Sequence, residues 1–84
     1  MTKEEFDTLN DFILANIKIE NPFIITTSRL FKVINCDIQF TSGHKKLYND
    51  FVKYCEEFPT AYNVNSHLYP EGSDKQFDIE FRQL

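Results

Sequence analysis

Eighty-four residues with a formal net charge of −4 and 42% hydrophobic content make one small domain, 1–84, with room for a modest core. The acidic balance gives no general electrostatic pull toward nucleic acid or anionic lipid, and no apolar run approaches the ~20 residues that span a bilayer. The N-terminus is charged from Lys3 and lacks the apolar stretch of a secretory signal, so a cytoplasmic protein with no membrane partner is expected. Nine Phe and four Tyr against two Gly supply the large buried areas that a short chain needs for its core. The excess of Phe, Ile, Asn, Lys and Tyr over Ala and Gly has the look of AT-rich coding, as in a low-GC bacterium, a phage or a mobile element.

The first helix is predicted from Thr2 to about Ile17. Thr2 and Glu5 stand in capping-box spacing, and Glu4, Glu5 and Asp7 place negative charge at the positive end of the helix dipole. Phe6, Leu9, Ile13 and Ile17 form its apolar stripe, flanked by Phe12 and Leu14. Asn21-Pro22 ends the pattern.

Residues 22–40 admit two readings. In the favoured one, the β-branched and aromatic run Phe23–Thr27 pairs as a hairpin with residues 30–40, turning at Thr27-Ser28-Arg29. Ile34, Cys36, Ile38 and Phe40 then alternate with Asn35, Asp37 and Gln39 as a half-buried strand. Phe31 and Val33 are out of phase with that alternation, which demands a bulge or a second covered face. In the other reading, 28–36 is a short helix capped by Thr27, with Leu30, Phe31, Val33 and Ile34 inward.

After the Thr41-Ser42-Gly43 turn, His44–Phe58 is the clearest amphipathic segment. Leu47, Tyr48, Phe51, Val52, Tyr54, Cys55 and Phe58 share a face, opposite Lys45, Lys46, Asn49, Lys53, Glu56 and Glu57. The helix stops before Pro59. Tyr62, Val64, Ser66 and Leu68 alternate with Asn63, Asn65 and His67; Phe77, Ile79 and Phe81 alternate with Asp78, Glu80 and Arg82. With the turn-rich stretch 70–75 between them, these make a C-terminal hairpin.

The expected architecture is an α+β two-layer sandwich in the order helix–hairpin–helix–hairpin (αββαββ), with both helices on one face of an antiparallel sheet. With 28–36 helical, the order becomes three helices and a terminal β-hairpin, which resembles a winged helix.

The chemistry-bearing residues are few. No nucleophile elbow, phosphate-cradling glycine loop or zinc-protease helix motif is present, and no cofactor is implied. Cys36 and Cys55 fall on apolar faces outside any CxxC and read as buried free thiols. His67, Asn63 and Asn65 beside Asp78 and Glu80 could be considered for a metal or an acid/base pair, but a solvated sheet face with ordinary cross-strand pairs is the plainer account.

Two function classes remain. The leading one is a non-enzymatic protein that binds another protein, or its own copy, as a regulator or inhibitor. Phe31, Val33 and Tyr69 would be its apolar contacts, because the stripes leave them, like Phe12, without a place; Asp78, Glu80 and Arg82 would form the polar rim. The second is a winged-helix-like DNA binder using His44, Lys45, Lys46, Lys53 and Lys75. Asp50 and Glu57, four residues after Lys46 and Lys53, are expected to neutralise that basic stripe, and His44 projects toward the apolar side.

Overall fold

A computed structural model of the chain describes residues 1–35, 43–67 and 76–84. Helix α1 (Lys3–Ile17) begins with the capping box read from the sequence: Glu5 N–H donates to Thr2 Oγ1 (3.1 Å) and Thr2 N–H donates to Glu5 Oε1 (2.8 Å). Phe6, Leu9, Ile13 and Ile17 are buried along one stripe. Each contributes roughly 1.5–3 kcal/mol of hydrophobic stabilisation when fully buried.

Past Asn21-Pro22 the chain enters a short strand, β1 (Phe23–Thr26), and then turns directly into helix α2 (Thr27–Phe31) and a 3-10 turn over Lys32–Ile34. The helical reading of this stretch is therefore the one adopted, one residue earlier than expected. Thr26 is the N-cap, its hydroxyl accepting from Arg29 N–H (3.3 Å). Asn35, at φ 59°, ends the turn in the left-handed region that Asn tolerates better than most residues. Over the described residues the favoured hairpin of 22–27 with 30–40 is not formed: α2 and the 3-10 turn occupy residues 30–34 of its second arm, and β1 pairs with β3. The phase break at Phe31 and Val33 was a helical period and not a bulge. Cys36 and most of the 34–40 alternation lie outside the described residues.

Helix α3 (His44–Glu57) and strands β2 (Tyr62–His67) and β3 (Asp78–Gln83) follow the sequence reading. Among the described residues the sheet has three antiparallel strands in the order β1-β3-β2. β3 is thus the central strand, with Glu80 opposite Ile24 on one side and Asn65 on the other. The class is α+β with a small open antiparallel sheet. Its element order is that of the winged-helix-like alternative.

The core lies between the sheet's inner face and the helices. Phe81 is its centre: its ring meets Phe51 of α3 and Tyr62 of β2 edge-on, and stacks on Phe23 of β1. Phe12, left over by the stripe analysis, packs edge-on against Phe23. Tyr62 carries its polar end into a hydrogen bond, donating to Asn10 Oδ1 of α1 (2.7 Å).

One polar residue ties four elements together. Thr27 is fully buried where β1 becomes α2. Its N–H donates to the Phe77 carbonyl (2.9 Å), and its Oγ1 accepts from Phe77 N–H (3.3 Å). The same hydroxyl is hydrogen-bonded to Nδ1 of the buried His44 (2.8 Å), at the start of α3. The start of α2, the entry to β3 and the start of α3 are thereby held at one point, which sets how α3 is presented to solvent.

Candidate functional site

The solvent face of α3 is defined by its first residues. Gly43 is the N-cap at φ 112°, in the left-handed region open to glycine. His44 then turns inward to Thr27 and is 3% exposed. As a phosphate contact His44 is excluded: the helical phase that makes Lys45 and Lys46 face water points it into the core.

Lys45, Lys46, Asn49 and Lys53 are all exposed, with Glu56 and Glu57 at the far end. Among the described residues no ion pair joins Lys46 to Asp50 or Lys53 to Glu57; the pairs formed are Lys3–Asp7 and Arg82–Glu80. Asp50 and Glu57 therefore stay on α3 without closing on these lysines. Orientation alone does not explain this, since Lys3–Asp7 of α1 pairs in the same base-first direction; such pairs contribute only about 0.2–0.5 kcal/mol in any case.

α3 is also charged against its own dipole. Its first turn holds no acid and its last turn no base, while Lys45, Lys46, Glu56 and Glu57 sit at the opposite ends to those the dipole favours. α1 of the same chain has Glu4 and Glu5 in its first turn, though like α3 it has no base in its last. Each misplaced exposed charge costs about 0.3–1 kcal/mol at low ionic strength. The two helices therefore differ at their N-termini, where α1 follows the dipole and α3 opposes it.

The outer face of the sheet is the second polar surface. Ile24, Thr26, Asn63, Asn65, His67, Asp78, Glu80 and Arg82 point away from the helices by strand alternation. Glu80 is only 8% exposed because β3 is central and neighbouring side chains close over it from both flanks. Arg82 Nε donates to its Oε2, and His67 Nε2 lies 3.5 Å from its Oε1. The Arg82 hydrogen bond, more than the opposing desolvation, holds the Glu80 carboxyl below its ordinary value. A carboxylate already satisfied by its own strand neighbour is a poor general base. Among the described residues no group of three His, Cys, Asp or Glu is arranged to hold a metal.

The residues expected to bind a protein are not brought together. Phe31 is 0% exposed and belongs to the core, so it is withdrawn as a surface contact; α2 gives it the inward place that a strand would have denied it. Val33 is half-buried and lines a shallow hollow beside Thr2, Glu5 and Thr8 of α1. Asp78, Glu80 and Arg82 share the other face of their strand, and none of them lines that hollow. Tyr69 and Lys75 lie outside the described residues.

What the sequence reading missed is a groove of about 450 Å³ between α3 and β2. Tyr48, Val52 and Cys55 line it from the helix, and Tyr62 and Val64 from the strand, with Leu84 at one end. The stripe spacing of Tyr48, Val52 and Cys55 was legible, but it read as fully covered core. β2 pairs on one side only among the described residues, so that stripe is covered only in part. Burial pushes the Cys55 thiol up to about 12, with Glu56 adding to the effect, so this cysteine is a poor nucleophile. Among the described residues no helix is long and apolar enough to cross a membrane. Compared with family models, curated proteins and solved structures, the chain matches none.

Proposed function

We propose that the chain binds duplex DNA through the exposed face of α3, as a non-enzymatic, winged-helix-like protein. The observation that carries this reading is the reversed charge of α3, with Lys45 and Lys46 at the positive end of the dipole and Lys53 two turns on, all exposed. Phosphate is the partner that such an end is suited to meet, and a recognition helix enters the major groove with its N-terminal residues against the bases. Glu56 and Glu57 keep the other end away from the polyanion and so orient the helix. The helical conformation of 27–34 supports the same reading, since it places a helix pair, α2 and α3, ahead of the hairpin. With a net charge of −4, affinity rests on this face and not on the chain as a whole.

The test is binding to a random duplex as a function of salt, for the wild type and for Lys45→Glu/Lys46→Glu. Wild-type affinity falls as salt rises, with a log–log slope of about 0.9 per phosphate contact, and the double variant loses binding at low salt. Absence of wild-type binding at low ionic strength removes the reading.

A second reading, a protein-binding regulator or inhibitor, is favoured by the α3–β2 groove. Its open side carries apolar residues next to a strand that pairs on one side only among the described residues, the arrangement to which an extended partner segment adds as a further strand. Nuclease-resistant capture of a partner that is lost in Val52→Asp supports it. Capture that survives Val52→Asp removes it.

A further inference from the structure

We infer that a second copy of this chain closes the α3–β2 groove, joining β2 to β2 and α3 to α3 across a two-fold axis; the inference rests on the protein-binding reading of that groove and names its partner. Among the described residues β2 pairs only with β3. Residues 62–67 contain no Lys, Arg, Asp, Glu or Pro, so β2 lacks the charges and prolines by which exposed sheet edges resist further pairing. When a strand pairs antiparallel with its own copy in one continuous sheet, residues of like face stand opposite, so the axis must pass through a residue. Val64 meets that requirement, since it lies near the middle of β2 and lines the groove. Val64 then stands opposite its own copy, and Tyr62 opposite Ser66 of the second chain.

The charges of α3 are self-complementary about the same axis. Tyr48 shares a hydrogen bond with Ser66, and Cys55 lies beside Tyr62, so α3 runs antiparallel to β2 with Phe51 and Val52 level with Val64. By helical phase Lys45, Val52 and Glu56 are on the flank that borders the groove, and Lys46, Lys53 and Glu57 are on the other. Lys45 and Glu56 stand roughly 8 Å to either side of Asp50-Phe51, a midpoint within about 1.5 Å of the level of Val64. Two antiparallel α3 helices therefore set Lys45 of each copy opposite Glu56 of the other, with Val52 between them over the apolar groove. Glu56 of one copy then comes to the N-terminal end of the other copy's α3, and Lys45 to its C-terminal end, where the dipole favours each charge. Strand register and helix charge thus place the axis at the same level independently. Lys46 and Lys53 stay exposed on the far flank, so this contact leaves them available to phosphate.

The experiment is sedimentation equilibrium of the wild type, Lys45→Glu, Glu56→Lys and the charge swap Lys45→Glu/Glu56→Lys, with amide hydrogen exchange of the wild type at low and high concentration. Both single changes put charge where the α3 dipole favours it, so the variants are expected to melt no lower than the wild type. The wild type forms a dimer, each single variant dimerises roughly ten-fold more weakly, and the charge swap restores the wild-type constant. The β2 amides of the wild type exchange more slowly as the dimer forms. A dimer that ignores the single reversals, that the swap does not restore, or that leaves the β2 amides unprotected overturns the inference. A wild type that stays monomeric up to about 1 mM overturns it as well. In that case the groove as a site for a different protein still stands or falls on the Val52→Asp capture.

Discussion

Thr27→Val tests the node on which the presentation of α3 depends. The substitution keeps size and β-branching and leaves the Thr27 N–H bond to the Phe77 carbonyl intact. It removes only the hydroxyl, which serves Phe77 N–H and His44 Nδ1, in a position with no exposure. A buried donor left without a partner costs about 1–3 kcal/mol, so the loss of the acceptor for Phe77 N–H predicts a destabilisation of about 1–3 kcal/mol. For a domain of this size that lowers Tm by on the order of 5–25 °C. Urea unfolding followed by circular dichroism measures it, with Thr27→Ser as the control that restores the hydroxyl and loses one methyl. A double-mutant cycle with His44→Leu should show coupling of about 0.5–3 kcal/mol between the two sites. A Thr27→Val protein within about 0.5 kcal/mol of wild type, a change typical of inert positions, would refute the reasoning.

Phe31→Ala is expected to cost about 3–5 kcal/mol in urea unfolding, since Phe31 is a fully buried core side chain; a near-neutral result would return it to the surface. Cys55, its thiol raised by burial from an ordinary 9.0 to about 12, should resist alkylation at pH 8 in the native protein and react readily in denaturant. The sign of its linkage follows: a raised thiol contributes stability that is fully present below its unfolded value and lost as pH climbs from about 9 through 12. Cys55→Ala should flatten that alkaline limb of the stability curve. On the sheet face, Arg82→Ala removes the main cause of the lowered Glu80 carboxyl, so an NMR titration should show the Glu80 midpoint rising. With Arg82 present, the contribution of Glu80 is held above its ordinary carboxylate range and lost as pH falls through the lowered value.

Much of the local structure was legible because its causes are local. The capping box of Thr2 and Glu5, the stripe of α1 and the two-residue alternation of β2 and β3 each rest on neighbours within a few positions. The inward turn of His44 was legible too, from helical phase alone. The stretch 27–34 was misread because β-branched and aromatic residues favour a strand only where they find strand partners. Thr27 instead finds Phe77 and His44, 50 and 17 residues away, and those contacts hold the chain in a helix. The candidate site was half legible. The basic residues of α3 were found, but the close pairs expected with Asp50 and Glu57 are not formed among the described residues.

The sequence by itself determined which segments are helices and strands wherever apolar period and capping agree, and it determined the α+β class. Tertiary structure alone decided that β1 pairs with β3, which makes β3 central and closes its neighbours over Glu80. It alone decided that Phe31 is core and that the α3–β2 groove is open. The physical reason is the same in each case. Period is a property of consecutive residues, whereas strand order and burial depend on contacts between residues tens of positions apart, whose pairing no local pattern encodes.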